Sequence, residues 1–152
     1  MPFSIEQAVK NLCEAAGWRM PMPDAEGAYR FFLEDGLDLA VSSPDGRQLV
    51  ASAELGAAPD AGDDEAWLRL GRLAAGVMRA QASELSLHEG ELTLSARIDL
   101  LQADAGAVAL AVQRFLNDQA WWREALGEER QLSAASSPFA MPNDWFQSNF
   151  PL

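Results

Sequence analysis

The sequence predicts an α+β fold in the order helix, three antiparallel strands, helix, two antiparallel strands, helix. Three observations carry this. Short alternating stretches are joined by turns whose lengths set apolar residues opposite apolar residues; three other stretches repeat apolar residues at helical spacing; and all of this lies in an acidic chain with one Cys and one His. At 152 residues the chain suits a single domain. A domain of that size buries about 70% of its unfolded surface and needs neither disulfides nor metal to hold together. The domain is expected over residues 1–126, with 127–152 a tail that is flexible or packed back on it.

Ser4 begins the first helix, with Gln7 three residues on, the spacing of a capping box. Ile5, Val9, Leu12, Cys13 and Ala16 form its apolar stripe, and Gly17 suits a left-handed end. Trp18 to Pro23 is a connector. Glu34-Asp35-Gly36, taken as a three-residue loop, then sets Leu33 against Leu37, Phe31 against Leu39 and Tyr29 against Val41. Pro44-Asp45-Gly46, taken at the same length, sets Val41 against Leu49 and Leu39 against Ala51. Both turns choose the same buried face. A slip by one residue would bury Arg30 or Asp38, so the face is strongly specified.

The Pro, Gly and Asp residues of Ala57 to Asp63 mark a loop, and Asp63 or Asp64 can cap a second helix ending near Arg79. Trp67, Leu68, Leu70, Leu73, Val77 and Met78 surround most of that helix, while Gly71, Ala74, Ala75 and Gly76 thin one stretch of it. Each interior glycine costs about 1 kcal/mol relative to alanine, a loss that close packing against another backbone would offset. Two readings stand: a helix buried in its own core, or one that packs on its sheet with one face and on a second subunit with the other. Glu89-Gly90 is a two-residue hairpin turn that pairs Leu87 with Leu92 and Leu85 with Leu94. Asp104 can cap the last helix, with Val108, Ala111, Val112, Phe115, Gln119, Trp122 and Leu126 inward and Trp121 off the stripe. From Gly127 on, no period remains. Phe139, Met141, Trp145, Phe146 and Phe150 leave two readings for the tail, packing back on the domain or docking a partner.

The formal net charge of −12 opposes nucleic acid and anionic membranes. Glu6, Lys10 and Glu14 interrupt any apolar core of a signal peptide, and no run of about 18 apolar residues occurs, so a cytoplasmic protein is expected. Cys13 falls on a helix stripe and reads as a buried structural thiol, and His88 reads as a residue flanking a turn. No Cys and His metal site is possible by count, and Asp60, Asp63, Asp64 and Glu65 lack the ligand spacing of a calcium loop. Neither an enzyme motif nor a cofactor motif is present, so the residues favour a module that binds another protein.

The segment AYRFFLEDGLDLAVSSPDGRQLVASAEL, from Ala28, and the segment VALAVQRFLNDQAWWREALG, from Val108, together with the order of elements, resemble the class I type III secretion chaperones, the Tir chaperone family. The resemblance covers about residues 4 to 126 and implies that family's sandwich of helices on a sheet. It implies no catalytic residues and no cofactor. It further implies a cytoplasmic homodimer that holds the N-terminal region of a secreted effector in extended form, or a regulatory protein of the same fold that exchanges partners. On this reading Trp67, Leu70, Gly71, Ala74, Ala75 and Met78 would form the dimer interface. Ile5, Val9 and Leu12 of the first helix, with Phe32, Ala40 and Val50 of the first strands, would meet the effector, Phe32 because the register turns it away from the core. A cup for a small apolar ligand, or an enzyme built on carboxylates, remains the reading from another class.

Overall fold

A computed structural model describes residues 4–135, with side chains through Leu132. The elements follow the expected order: α1 Ile5–Ala16, β1 Tyr29–Phe32, β2 Asp38–Ser42, β3 Gln48–Ala57, α2 Asp64–Val77, β4 Glu84–His88, β5 Glu91–Asp99 and α3 Ala105–Ala135. The strands form one antiparallel sheet in the order β1-β2-β3-β5-β4, so β3 and β5 join the two hairpins at the centre and leave β1 and β4 as edges. Helices α1 and α3 cover one face of the sheet and close the core.

Local chemistry explains most of these boundaries. The Ser4 hydroxyl accepts from Gln7 N at 3.2 Å, and Gly17, at φ 70°, ends α1. The reciprocal arm of a capping box is not made, because the Gln7 side chain donates instead to Asn11 Oδ1 at 2.9 Å. In the first hairpin Tyr29 pairs with Val41 and Phe31 with Leu39, as the turn length requires. Asp35 joins Gly36 at positive φ there (62° and 72°), a conformation that Asp tolerates better than most residues. Glu89 and Gly90 both have positive φ, as a two-residue type I′ turn needs, and Leu85 faces Leu94 while Leu87 faces Leu92.

The second turn is wider than expected. Val41 pairs with Ala51 and Ser42 with Val50, two residues away from the predicted pairing of Val41 with Leu49. Asp45 is the cause: its Oδ1 accepts from Arg47 N at 2.9 Å and Gln48 N at 2.8 Å, which extends the turn through Arg47. An even shift leaves every side chain on its face. Leu39, Val41, Leu49, Ala51, Ala53 and Leu55 therefore still enter the core, with Tyr29, Phe31, Leu92 and Leu94. The stripe of α3 packs onto them through Val108, Val112, Phe115, Gln119, Trp122 and Leu126, all nearly solvent-free.

Helix α3 does not stop near Leu126 but runs through Gly127 to Ala135, so the first residues expected in the tail continue the helix. Polar anchors rather than apolar burial hold this extension. Arg130 Nη2 donates to Leu55 O at 3.2 Å and Ala57 O at 3.4 Å, and Glu129 Oε2 meets Arg69 Nε at 2.6 Å. The Arg130 guanidinium lies over Gly56, beside an irregularity in the pairing of β3 with β5. Gly56 has φ 101°, and a Cβ there would sit 2.8 Å from Arg130 Nη2. Phe139, Met141, Trp145, Phe146 and Phe150 lie outside the described residues.

Candidate functional site

A groove of about 750 Å³ runs over the outward face of the first strands and reaches the start of α1 at Ile5. Because Tyr29 is level with Val41 and Phe32 with Asp38, the groove runs along the first strands. It extends from Glu26, Gly27, Ala28 and Pro44 at one end to Phe32, Asp38, Glu54 and Thr93 at the other. Alternation along the strands supplies its floor. Ala40 and Ser52, which pair across β2 and β3, are small, and Phe32 rises beside them 85% exposed. Its neighbour Phe31 points the other way, is 6% exposed, and lies 5.4 Å from the Trp18 ring.

Two ion pairs set the charge of the groove. Asp24 Oδ2 meets Arg30 Nε at 3.0 Å, and Asp24 Oδ1 accepts from Glu26 N and Ala28 N, both at 2.9 Å. The Ala28 amide above all, then the Arg30 side chain, holds the Asp24 carboxyl below its ordinary value near 3.8. The same bonds fix the turn that leads into β1. At the other end Arg123 of α3 reaches Asp38 Oδ2 and Glu54 O, both at 3.3 Å.

Of the residues expected to meet a partner, Phe32, Ala40 and Ile5 line this groove. Val50 is on the same sheet face, paired with Ser42 and Arg97, but outside the groove. Val9 and Leu12 are corrected: they are 0% and 4% exposed, because α1 has a single apolar stripe and the core that it shares with α3 and the strands consumes it. The residues expected on the second helix divide in the same way. Leu70 is buried, and Trp67 and Ala74 pack against the core, with Trp67 Nε1 donating to Asp60 O at 3.0 Å. Gly71, Ala75 and Met78 point outward, together with Leu68 at 61% exposure. The outward stripe of α2 is therefore Leu68, Gly71, Ala75, Met78, whose 3-4-3 spacing in the sequence identifies Leu68 as the member to add.

The acidic residues before α2 have structural duties. Asp63 Oδ1 caps the helix by accepting from Ala66 N at 3.0 Å, and Glu65 pairs with Arg69 at 3.1 Å. Among the described residues no group of three or more His, Cys, Asp or Glu is arranged to hold a metal, and no helix is long and apolar enough to cross a membrane. Cys13 is buried, and that burial raises its thiol pKa. His88 is exposed at the end of the second hairpin.

The family model for the Tir chaperone proteins (CesT) matches residues 7–123. The chain belongs to the CesT family. Solved structures share its fold at low identity. The Yersinia pestis type III secretion chaperone SycH, solved in complex with a stable fragment of YscM2, matches with a TM-score of 0.58 at 8% identity, over 78% of this chain and 99% of that one. The HopA1–SchA chaperone–effector complex matches with a TM-score of 0.60 at 16% identity, over 78% and 92% of the two chains. The ExsC–ExsE complex matches with a TM-score of 0.62 at 14% identity, over 82% and 96%. No curated protein sequence matches the chain. The CesT match spans β1 to β5 and most of α3, and so takes in both the outer groove and the outward stripe of α2.

Proposed function

We propose that this CesT family member is a type III secretion chaperone that holds the N-terminal region of a secreted effector in extended form against the outer face of its sheet. The observation that carries the reading is the groove itself: a floor of small side chains with Phe32 standing 85% exposed beside it, and Ile5 the one helix residue in its lining among the described residues. An extended segment placed there can lodge side chains in the groove and gain main-chain hydrogen bonds at the free edge of β1. Phe32 supplies apolar area to the contact. The protein acts without catalysis, in the cytoplasm.

The protein works as a homodimer joined along the stripe Leu68, Gly71, Ala75 and Met78. Two copies related by a twofold axis present the same stripe to each other, and the small residues at its centre let the helices approach closely. Coexpression with the secreted product of a neighbouring gene tests both parts. The expected result is a soluble complex that elutes with a dimer of this chain; a persistent monomer that carries no exported protein contradicts it.

A further inference from the structure

The charge left over in the outer groove specifies the guest further, on the premise that the groove is the effector site. Four charged residues line it: Glu26, Arg30, Asp38 and Glu54. Arg30 is neutralised by Asp24 and Asp38 by Arg123. Glu26 and Glu54 are exposed, and no ion pair involves either side chain among the described residues. They stand at opposite ends of the groove, Glu26 beside the turn into β1 and Glu54 on the central strand at the Phe32 end. From the level of Ala28 to that of Phe32 is four residue steps, roughly 14 Å, a distance that about four or five extended guest residues cover.

We propose that the groove selects an extended peptide segment with an apolar side chain for Phe32 and basic side chains near both ends of the bound stretch, and that Glu26 and Glu54 read those basic groups. The separation favours an extended guest. In a helix the same number of residues rises only about 7 Å, too short to reach both carboxylates. The two ion pairs sharpen the selection, since with Arg30 and Asp38 already matched the unmatched charges in the lining of the groove are the two glutamates. An acidic guest meets uncompensated repulsion at both ends. The middle of the groove, floored by Ala40 and Ser52, accepts small side chains of any kind. Ser43, in the wall near Pro44, has a hydroxyl oxygen that is shielded from solvent and lacks a hydrogen-bond partner among the described residues; a change of rotamer would offer it to a guest amide.

Three fluorescein-labelled peptides test this with the purified protein: Ser-Thr-Ser-Lys-Ser-Leu-Ser-Lys-Thr-Ser, whose Lys and Leu side chains share one face of an extended strand with the Lys four steps apart, and the same sequence with both Lys replaced by Gln or by Glu. Fluorescence anisotropy should rank them Lys, then Gln, then Glu. Glu54→Gln should weaken the Lys peptide about threefold, and Glu26→Gln with Glu54→Gln about tenfold, while leaving the Gln peptide unchanged. Raising NaCl from about 50 mM to about 500 mM should weaken the Lys peptide on the wild type and hardly affect it on the double variant. Equal binding of the three peptides, binding of none, or loss of the Gln peptide along with the Lys peptide in the double variant would overturn the proposal. Because these peptides are synthetic, the result is independent of whether an effector copurifies. A protein that binds its effector but ignores peptide charge loses this inference and keeps the chaperone reading.

Discussion

Phe31 and Phe32 are adjacent in sequence and opposite in environment, so truncating each in turn separates folding from binding. Phe31 is 6% exposed against Trp18 and the core, and removing a buried phenylalanine side chain costs about 3–5 kcal/mol. Domains are stable by only about 5–15 kcal/mol, so Phe31→Ala consumes a large share of the total. At about 2–4 °C per kcal/mol for a chain of this length, its melting temperature falls by roughly 6–20 °C. Phe32 is 85% exposed, and a change at such a surface position stays within about 0.5 kcal/mol, or roughly 2 °C. Thermal denaturation followed by circular dichroism, at one fixed protein concentration because dimerisation shifts the midpoint, measures both. Equal losses, or a larger loss at Phe32, would refute the strand register and the groove built on it.

Gly56→Ala should lower the urea midpoint by the equivalent of about 1–3 kcal/mol, since it strains a residue at φ 101° and pushes a Cβ against Arg130; adding Arg130→Ala should restore only the steric part, and an unchanged midpoint would dismiss the clamp. The Asp24 carboxyl is depressed below about 3.8 in the folded state, so its stabilisation is present above about pH 4 and disappears as pH falls through the folded value. Urea midpoints of wild type and Asp24→Ala should therefore differ at neutral pH and converge in acid; a gap that persists in acid would locate the effect elsewhere. Ala75→Trp places a large side chain in the centre of the exposed α2 stripe and should give a folded monomer by light scattering, whereas an intact dimer would move the interface away from that stripe.

Much of this fold is legible in the sequence because turn length and side-chain alternation act locally. Glu34-Asp35-Gly36 and Glu89-Gly90 set their registers through a few dihedral angles, and both pairings follow from counting residues. The turn at Asp45 defeats counting, because one carboxylate accepting two amides widens it; the buried face survives since the shift is even. The end of α3 was hidden for another reason. Arg130 on the carbonyls of Leu55 and Ala57, and Glu129 on Arg69, are contacts between residues distant in sequence and leave no apolar period to detect. At the candidate site, alternation alone places Phe32 and Ala40 outward. It cannot show that α1 has no second apolar face, which is why Val9 and Leu12 belong to the core. The charge of the groove was equally hidden, since it depends on Arg123 arriving from α3 to neutralise Asp38.

On the proposed reading, a secreted effector is held on the outer face of the sheet at Phe32. Isothermal titration of the effector's N-terminal fragment into wild type and Phe32→Asp tests it most directly, with the melting temperature of each protein recorded alongside. Phe32→Asp should lose at least about tenfold in affinity with an unchanged melting temperature, as expected when a charge replaces an apolar contact at a binding surface but not in the core. Equal affinity in the two proteins would place the effector on another surface.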